Sequence, residues 1–147
     1  MVDNLSKFSE NLKDLLIQNN INPEVLAKNT KINKSQLSLY LRGVFYPSVK
    51  NALKIVNYFN CSLDFLFGLS DKFGVTSAKT KTTFYERIIK LINSFNISQY
   101  KLCKDINISD ANFAKWKKGV LPQFETLLNI SQYFNCSLDY LIARSDS

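Results

Sequence analysis

Asn22-Pro23-Glu24-Val25-Leu26-Ala27-Lys28-Asn29-Thr30-Lys31-Ile32-Asn33-Lys34-Ser35-Gln36-Leu37-Ser38-Leu39-Tyr40-Leu41-Arg42-Gly43 is the stretch whose reading settles the architecture. Asn22 is a helix N-cap type, and Pro23 suits the first helical position because it lacks the N–H that would be orphaned there. The helix they open carries Leu26-Ala27 inward and is short. After Thr30-Lys31-Ile32 a second polar cap, Asn33, starts another helix, which Gly43 stops. Two short helices across a tight turn form a helix-turn-helix pattern.

The pattern occurs twice. Ser98-Gln99-Tyr100 opens a short helix with Leu102-Cys103 inward, Ile106-Asn107-Ile108 makes the turn, Ser109 is read as the next N-cap, and Gly119 is the stop. An offset of 76 pairs Ile32 with Ile108, Leu26 with Leu102, Ile21 with Ile97, Leu15 with Leu91 and Phe8 with Phe84. One residue drops out between the glycine and Pro47 or Pro122. Beyond it, Tyr58-Phe59-Asn60-Cys61-Ser62-Leu63-Asp64 returns unchanged as residues 133–139. An identity that long marks a duplicated unit.

Working outward, Phe8, Leu12, Leu15 and Leu16 recur at helical spacing, as do Phe84, Ile88, Leu91, Ile92 and Phe95, so an amphipathic helix precedes each pattern. Asn20 and Asn96 mark its end. Residues 48–59 and 123–134 read as a fourth helix. Ser62 and Ser137 cap a fifth, with Asp64 and Asp139 in the first turn, where the helix dipole favours them. Ser70 to Thr83 is small and polar, a linker by composition. The expected fold is all-α: two tandem five-helix domains of lambda-repressor-like kind, residues 1–70 and 84–147, joined by a short linker at 71–83.

Composition narrows the chemistry. The chain of 147 residues, 46% hydrophobic and 21% charged, has the balance of a soluble globular protein. It lacks the run of about 20 apolar residues that spans a bilayer. Met1-Val2-Asp3-Asn4 carries neither a basic nor an apolar signal region, so a cytoplasmic protein with no membrane partner is expected. Histidine is absent, which removes the commonest general base and metal ligand. Cys61, Cys103 and Cys136 form no C-x-x-C pair, and two hold equivalent places, as small buried hydrophobes would. No catalytic residue, metal or cofactor is expected, and the protein is not read as an enzyme. The net charge of +7, shared by both halves and by Lys79 and Lys81 between them, suits a polyanionic partner.

These residues resemble the Cro/cI-type (XRE-family) helix-turn-helix DNA-binding domains of phage repressors and bacterial regulators. The likeness runs through residues 22–27, 32–43, Pro47-Ser48 and 60–66. In the second copy it runs through 97–99, Leu102, Ile108-Ser109, 113–119, Pro122 and 135–141. It implies that 33–42 and 109–118 are recognition helices entering the major groove of double-stranded DNA. Helical geometry independently turns Leu37 and Tyr40 inward and leaves Lys34, Ser35, Ser38, Leu39 and Arg42 outside. Phe113 and Trp116 take the inner face of the second copy, leaving Asp110, Ala111, Ala114, Lys115 and Lys118 outside.

On this reading Lys34, Ser35 and Ser38 meet base edges, Leu39 a thymine methyl, and Asn33 and Arg42 phosphate. In the second copy the expected contacts are Gln99, Ser109, Asp110, Asn112, Lys115 and Lys118. Two features depart from the resemblance. Gln99 keeps a glutamine common in the family, but Pro23 does not. An arginine–glutamate pair common between the first and third helices is replaced by Leu16 with Leu41 and by Ile92 with Lys117.

The function expected is a sequence-specific transcriptional regulator, a repressor of phage or mobile-element type, using two recognition helices in one chain. The alternative is an interaction protein of antitoxin or inhibitor type, in which one unit contacts a protein partner. A homodimer, or a protein partner bound through the second unit, is the further partner considered.

Overall fold

The computed structural model describes residues 3–147. Ten helices and no strand occur among the described residues. The chain divides into two compact units, Met1–Gly74 and Val75–Ser147. The first holds α1 (Asn4–Gln18), α2 (Pro23–Thr30), α3 (Lys34–Leu41), α4 (Val49–Phe59) and α5 (Leu63–Leu66). The second holds α6 (Phe84–Ser94), α7 (Gln99–Asp105), α8 (Ala111–Lys117), α9 (Phe124–Phe134) and α10 (Leu138–Leu141).

Short helices need their ends satisfied, and local side chains do this. Asn22 accepts from the Val25 N–H, Ser48 from Asn51, Ser62 from Phe65, Thr83 from Glu86, Ser98 from Lys101 and Ser137 from Tyr140. Each such cap stabilises its helix by about 1 kcal/mol. The ends are set by left-handed residues that asparagine tolerates: Asn20, Asn60, Asn96 and Asn135 have φ of 53°, 58°, 52° and 52°.

In the first unit α1 packs on α3 and α5, and α2 on α3 and α4. Phe8, Leu12, Leu26, Leu37, Ile55, Leu63, Leu66 and Phe67 are fully buried between them. Phe8 stacks on Phe67 with ring centroids 4.7 Å apart and meets Tyr40 at 5.8 Å. In the second unit α6 packs on α8 and α10. There Phe84 meets Trp116 edge-on at 5.2 Å, so the tyrosine at the centre of the first core has become a tryptophan.

Two local expectations are corrected. Phe95 is not part of the buried stripe of α6: it lies past the helix end, about half exposed, with its ring edge-on to Phe134 at 4.9 Å. Ser109 is not the N-cap of α8. Asp110 holds that position without a side-chain cap bond, while Ser109 Oγ accepts from the Ala111 N–H at 3.2 Å. The backbone is already right-handed helical at Asp110, and the Asn112 and Phe113 N–H groups bond back three residues to Ser109 and Asp110, so a tighter turn leads into α8 while the serine still meets an orphan donor.

The stretch 71–83 is attached at both ends. The Ser62 N–H donates to the Phe73 carbonyl at 2.7 Å, and Ser62 Oγ to that of Lys72 at 3.1 Å. Further on, the Ala78 N–H donates to the Arg144 carbonyl at 2.9 Å, and the Lys79 N–H to the Asp146 carboxylate at 2.9 Å. Residues 74–77 lie between these two sets of bonds.

Candidate nucleic-acid interface

α3 is held from three sides, which fixes the face it presents. Leu37 and Tyr40 are buried. The Tyr40 phenol accepts from Asn51 Nδ2 on α4 at 2.9 Å, and Ser9 Oγ on α1 donates to the Leu41 carbonyl at 2.6 Å. Opposite this anchored side, Asn33, Lys34, Ser35, Ser38 and Arg42 are exposed and Leu39 is half-buried. No side-chain hydrogen bond engages Ser35, Ser38 or Arg42 among the described residues. Their donors stay available to a ligand.

Asn33 and Lys34 already have partners. Asn33 Oδ1 accepts from the Ser35 N–H at 2.8 Å, which leaves its amide N–H groups free to donate outward. Lys34 Nζ donates to Glu24 Oε1 on α2 at 2.7 Å, with both side chains largely exposed. The Lys34 hydrogen bond, and then its charge, hold the Glu24 carboxyl below the usual carboxylate range. Glu24 was not among the candidate residues. Its ten-residue separation from Lys34 gives no periodic signal, and only the α2–α3 angle joins them.

α8 presents a different face. Phe113 and Trp116 are buried, as expected. Asp110, Ala111, Ala114, Lys115, Lys117 and Lys118 are exposed, and so is Gln99 at the start of α7. Asn112 is half-buried, and its Nδ2 donates to the Ser109 carbonyl at 2.8 Å, so this amide is folded onto its own turn. Tyr100, in the place of Glu24, is 71% exposed. At the two hydrophobic replacement sites, Leu16 and Ile92 are buried, Leu41 is half-buried and Lys117 is exposed.

The second and fourth helices of each unit are joined by a shared contact. Tyr133 donates to Asp105 Oδ2 at 2.7 Å, and Lys101 Nζ lies 3.1 Å from the same oxygen. These bonds, the Tyr133 one first, hold the Asp105 carboxyl below its usual range, and the same bond raises the Tyr133 phenol. Among the described residues no three His, Cys, Asp or Glu side chains group as a metal site. Cys61 and Cys103 are both buried. Burial, and then Asp110, raise the Cys103 thiol above its ordinary value.

Comparison with known families divides the chain as the structure does. Residues 12–66 match a helix-turn-helix family, and residues 87–147 match the Cro/C1-type HTH DNA-binding domain. The first match runs from α1 to the end of α5, and the second from α6 through α10. No curated protein and no solved structure matches the chain.

Proposed function

We propose that this chain is a sequence-specific repressor reading double-stranded DNA with both α3 and α8, a reading supported by two helix-turn-helix domains in tandem, the second of Cro/C1 type. The observation that carries the proposal is the outer face of α3. Burial of Leu37 and Tyr40 leaves Lys34, Ser35, Ser38 and Arg42 on one exposed surface. Lysine and serine there suit acceptors in the major groove, and Arg42 suits phosphate.

Because the outer faces of α3 and α8 differ, the two units read unlike half-sites, so the operator is an imperfect palindrome. Covalent linkage makes the second contact intramolecular and raises avidity through effective concentration. A phage or mobile-element regulator and a cytoplasmic location fit this reading. No helix among the described residues is long and apolar enough to cross a membrane.

A second reading has its own observation. Asp110, Ala111 and Ala114 are exposed on α8 with Tyr100 nearby in sequence on α7, a surface poor in phosphate-binding groups. On that reading the second unit engages a protein while the first keeps the DNA. Selection from a random duplex pool with the intact chain, followed by salt titration, separates the two. Binding with a steep salt dependence supports the regulator; absence of duplex binding at about 50 mM salt, where phosphate contacts are strongest, sinks it. If Asp110→Ala and Lys115→Ala change sequence preference, both units read DNA. If DNA binding is untouched, the second unit faces a protein.

A further inference from the structure

A carboxylate on a surface that meets phosphates opposes binding unless a cation covers it. Glu24 places one there. It sits in the first turn of α2, and its partner Lys34 is the first residue of α3, with 2.7 Å between Oε1 and Nζ. The pair contributes little to the fold, because its side chains are 70% and 66% exposed, whereas Leu26 of α2 and Leu37 of α3 are fully buried. Its position calls for another role.

Resting on the reading that α3 faces a duplex, we infer that Glu24 is a specificity-determining residue, holding Lys34 so that the ammonium rewards base acceptors and not stray phosphates. An ammonium has three N–H donors, and Glu24 takes one. On a matched site the remaining donors reach guanine acceptors while the carboxylate stays covered. On an arbitrary duplex no such acceptor is in place, and the paired ammonium brings almost no net charge to the backbone. If Lys34 leaves Glu24 to seize a phosphate, the carboxylate is stranded beside a polyanion. Either outcome weakens non-specific binding, and discrimination gained by penalising wrong partners needs no new contact with the right one.

The second unit lacks this device. Tyr100 occupies the place of Glu24 and Asp110 that of Lys34, so no ion pair bridges α7 and α8 at these positions. Lys115, Lys117 and Lys118 stay exposed at the end of α8. The first unit thus carries a safeguard against stray phosphates that the second does not.

The test compares the intact chain with Glu24→Gln on a duplex selected by the wild type and on a random duplex, across a salt series. Glu24→Gln tightens random-duplex binding about fivefold and steepens its salt slope by about one charge, while the selected duplex gains less, so the selected-to-random ratio falls about threefold. In a Lys34→Gln background the same change no longer alters the ratio, which a merely structural role for Glu24 would not produce. An equal gain on both duplexes, or an unmoved ratio, overturns the inference and leaves the DNA reading intact. A wild-type chain that binds no duplex overturns both.

Discussion

The phenol of Tyr133 donates to the carboxylate of Asp105 across 2.7 Å, joining α9 to α7. The equivalent residues of the first unit, Tyr58 and Asn29, are joined with the donor reversed: Asn29 Nδ2 donates to the Tyr58 phenol at 3.3 Å. One tyrosine in an identical heptapeptide thus serves as donor in one unit and acceptor in the other. Only the neutral version is indifferent to acid.

That difference gives the second unit its own pH dependence. Hydrogen bonds from Tyr133 and Lys101 lower the folded pKa of Asp105, so their stabilisation is present above the ordinary carboxylate pKa of about 3.9 and is lost as pH falls through the lowered folded value. Asp105→Asn therefore flattens the fall in melting temperature between about pH 5 and pH 2, followed by circular dichroism. Tyr133→Phe moves the Asp105 titration upward, toward its ordinary value, as read by carboxyl-detected NMR. An Asp105 titration that Tyr133→Phe leaves in place would show that the bond is not made in solution.

Leu37 and Leu39 are two residues apart on α3 and belong to different surfaces, one fully buried and the other partly open. Leu37→Ala costs about 2–5 kcal/mol of stability through the cavity it leaves. Leu39→Ala costs well under half of that, while lowering affinity for the selected duplex. Denaturant melts and duplex titrations on the same two proteins check the pairing; equal stability losses would mean that α3 is rotated from the face described.

Gly68 and Ala143 hold the same place in the two units, after the fifth helix, with φ of 74° and 65°. The left-handed region disfavours any Cβ, and at Gly68 a Cβ would also lie 2.7 Å from Lys7 Cγ. Gly68→Ala therefore destabilises the first unit by about 1 kcal/mol or more. Ala143→Gly relieves its backbone and raises the stability of the second by somewhat less, since glycine also frees the unfolded chain. Thermal melts of the two variants should shift in opposite directions.

Arg87 is a buried cation with an unusual set of partners. Nη1 donates to the carbonyls of Tyr140, at 2.8 Å, and Ser145, Nη2 reaches Asp146, and the guanidinium lies 4.3 Å from the Tyr140 ring centre. Asn11, its counterpart, makes the neutral version of this bond, to the carbonyls of Phe65 and Leu66. Arg87→Ala leaves buried acceptors unmet and costs about 2–4 kcal/mol. It also loosens Asp146 from Lys79 and Thr80, so trypsin cuts faster after Lys79 and Lys81 than in the wild type.

Most of the scaffold was legible because its rules are local. Asn22, Ser48, Ser62 and Ser137 announce helix starts within three residues of the N–H they satisfy, and the apolar period of α3 and α8 correctly sorted Leu37, Tyr40, Phe113 and Trp116 to the inside. What stayed hidden depends on contacts between distant positions or on one residue of phase. Phe95 keeps the helical spacing but falls past the helix end. The amide of Asn112 turns back to its own loop, a rotamer choice with no trace in composition. Glu24 met Lys34 only once α2 and α3 were set at their angle, and the bonds of Ala78 and Lys79 to Arg144 and Asp146 bridge more than sixty residues.

Those last bonds make the second unit a nearly closed ring. The strand of chain that arrives at Ala78 and Lys79 runs beside the one that passes Arg144 and Asp146, so its two ends are neighbours. A circular permutant joined there and reopened at an exposed turn such as Asn107 should keep the same core, and any segment attached after Ser147 would depart from beside the place where the chain came in. The module can therefore be spliced into a longer array at one edge, with α8 left undisturbed, which is the property that tandem duplication requires of a part.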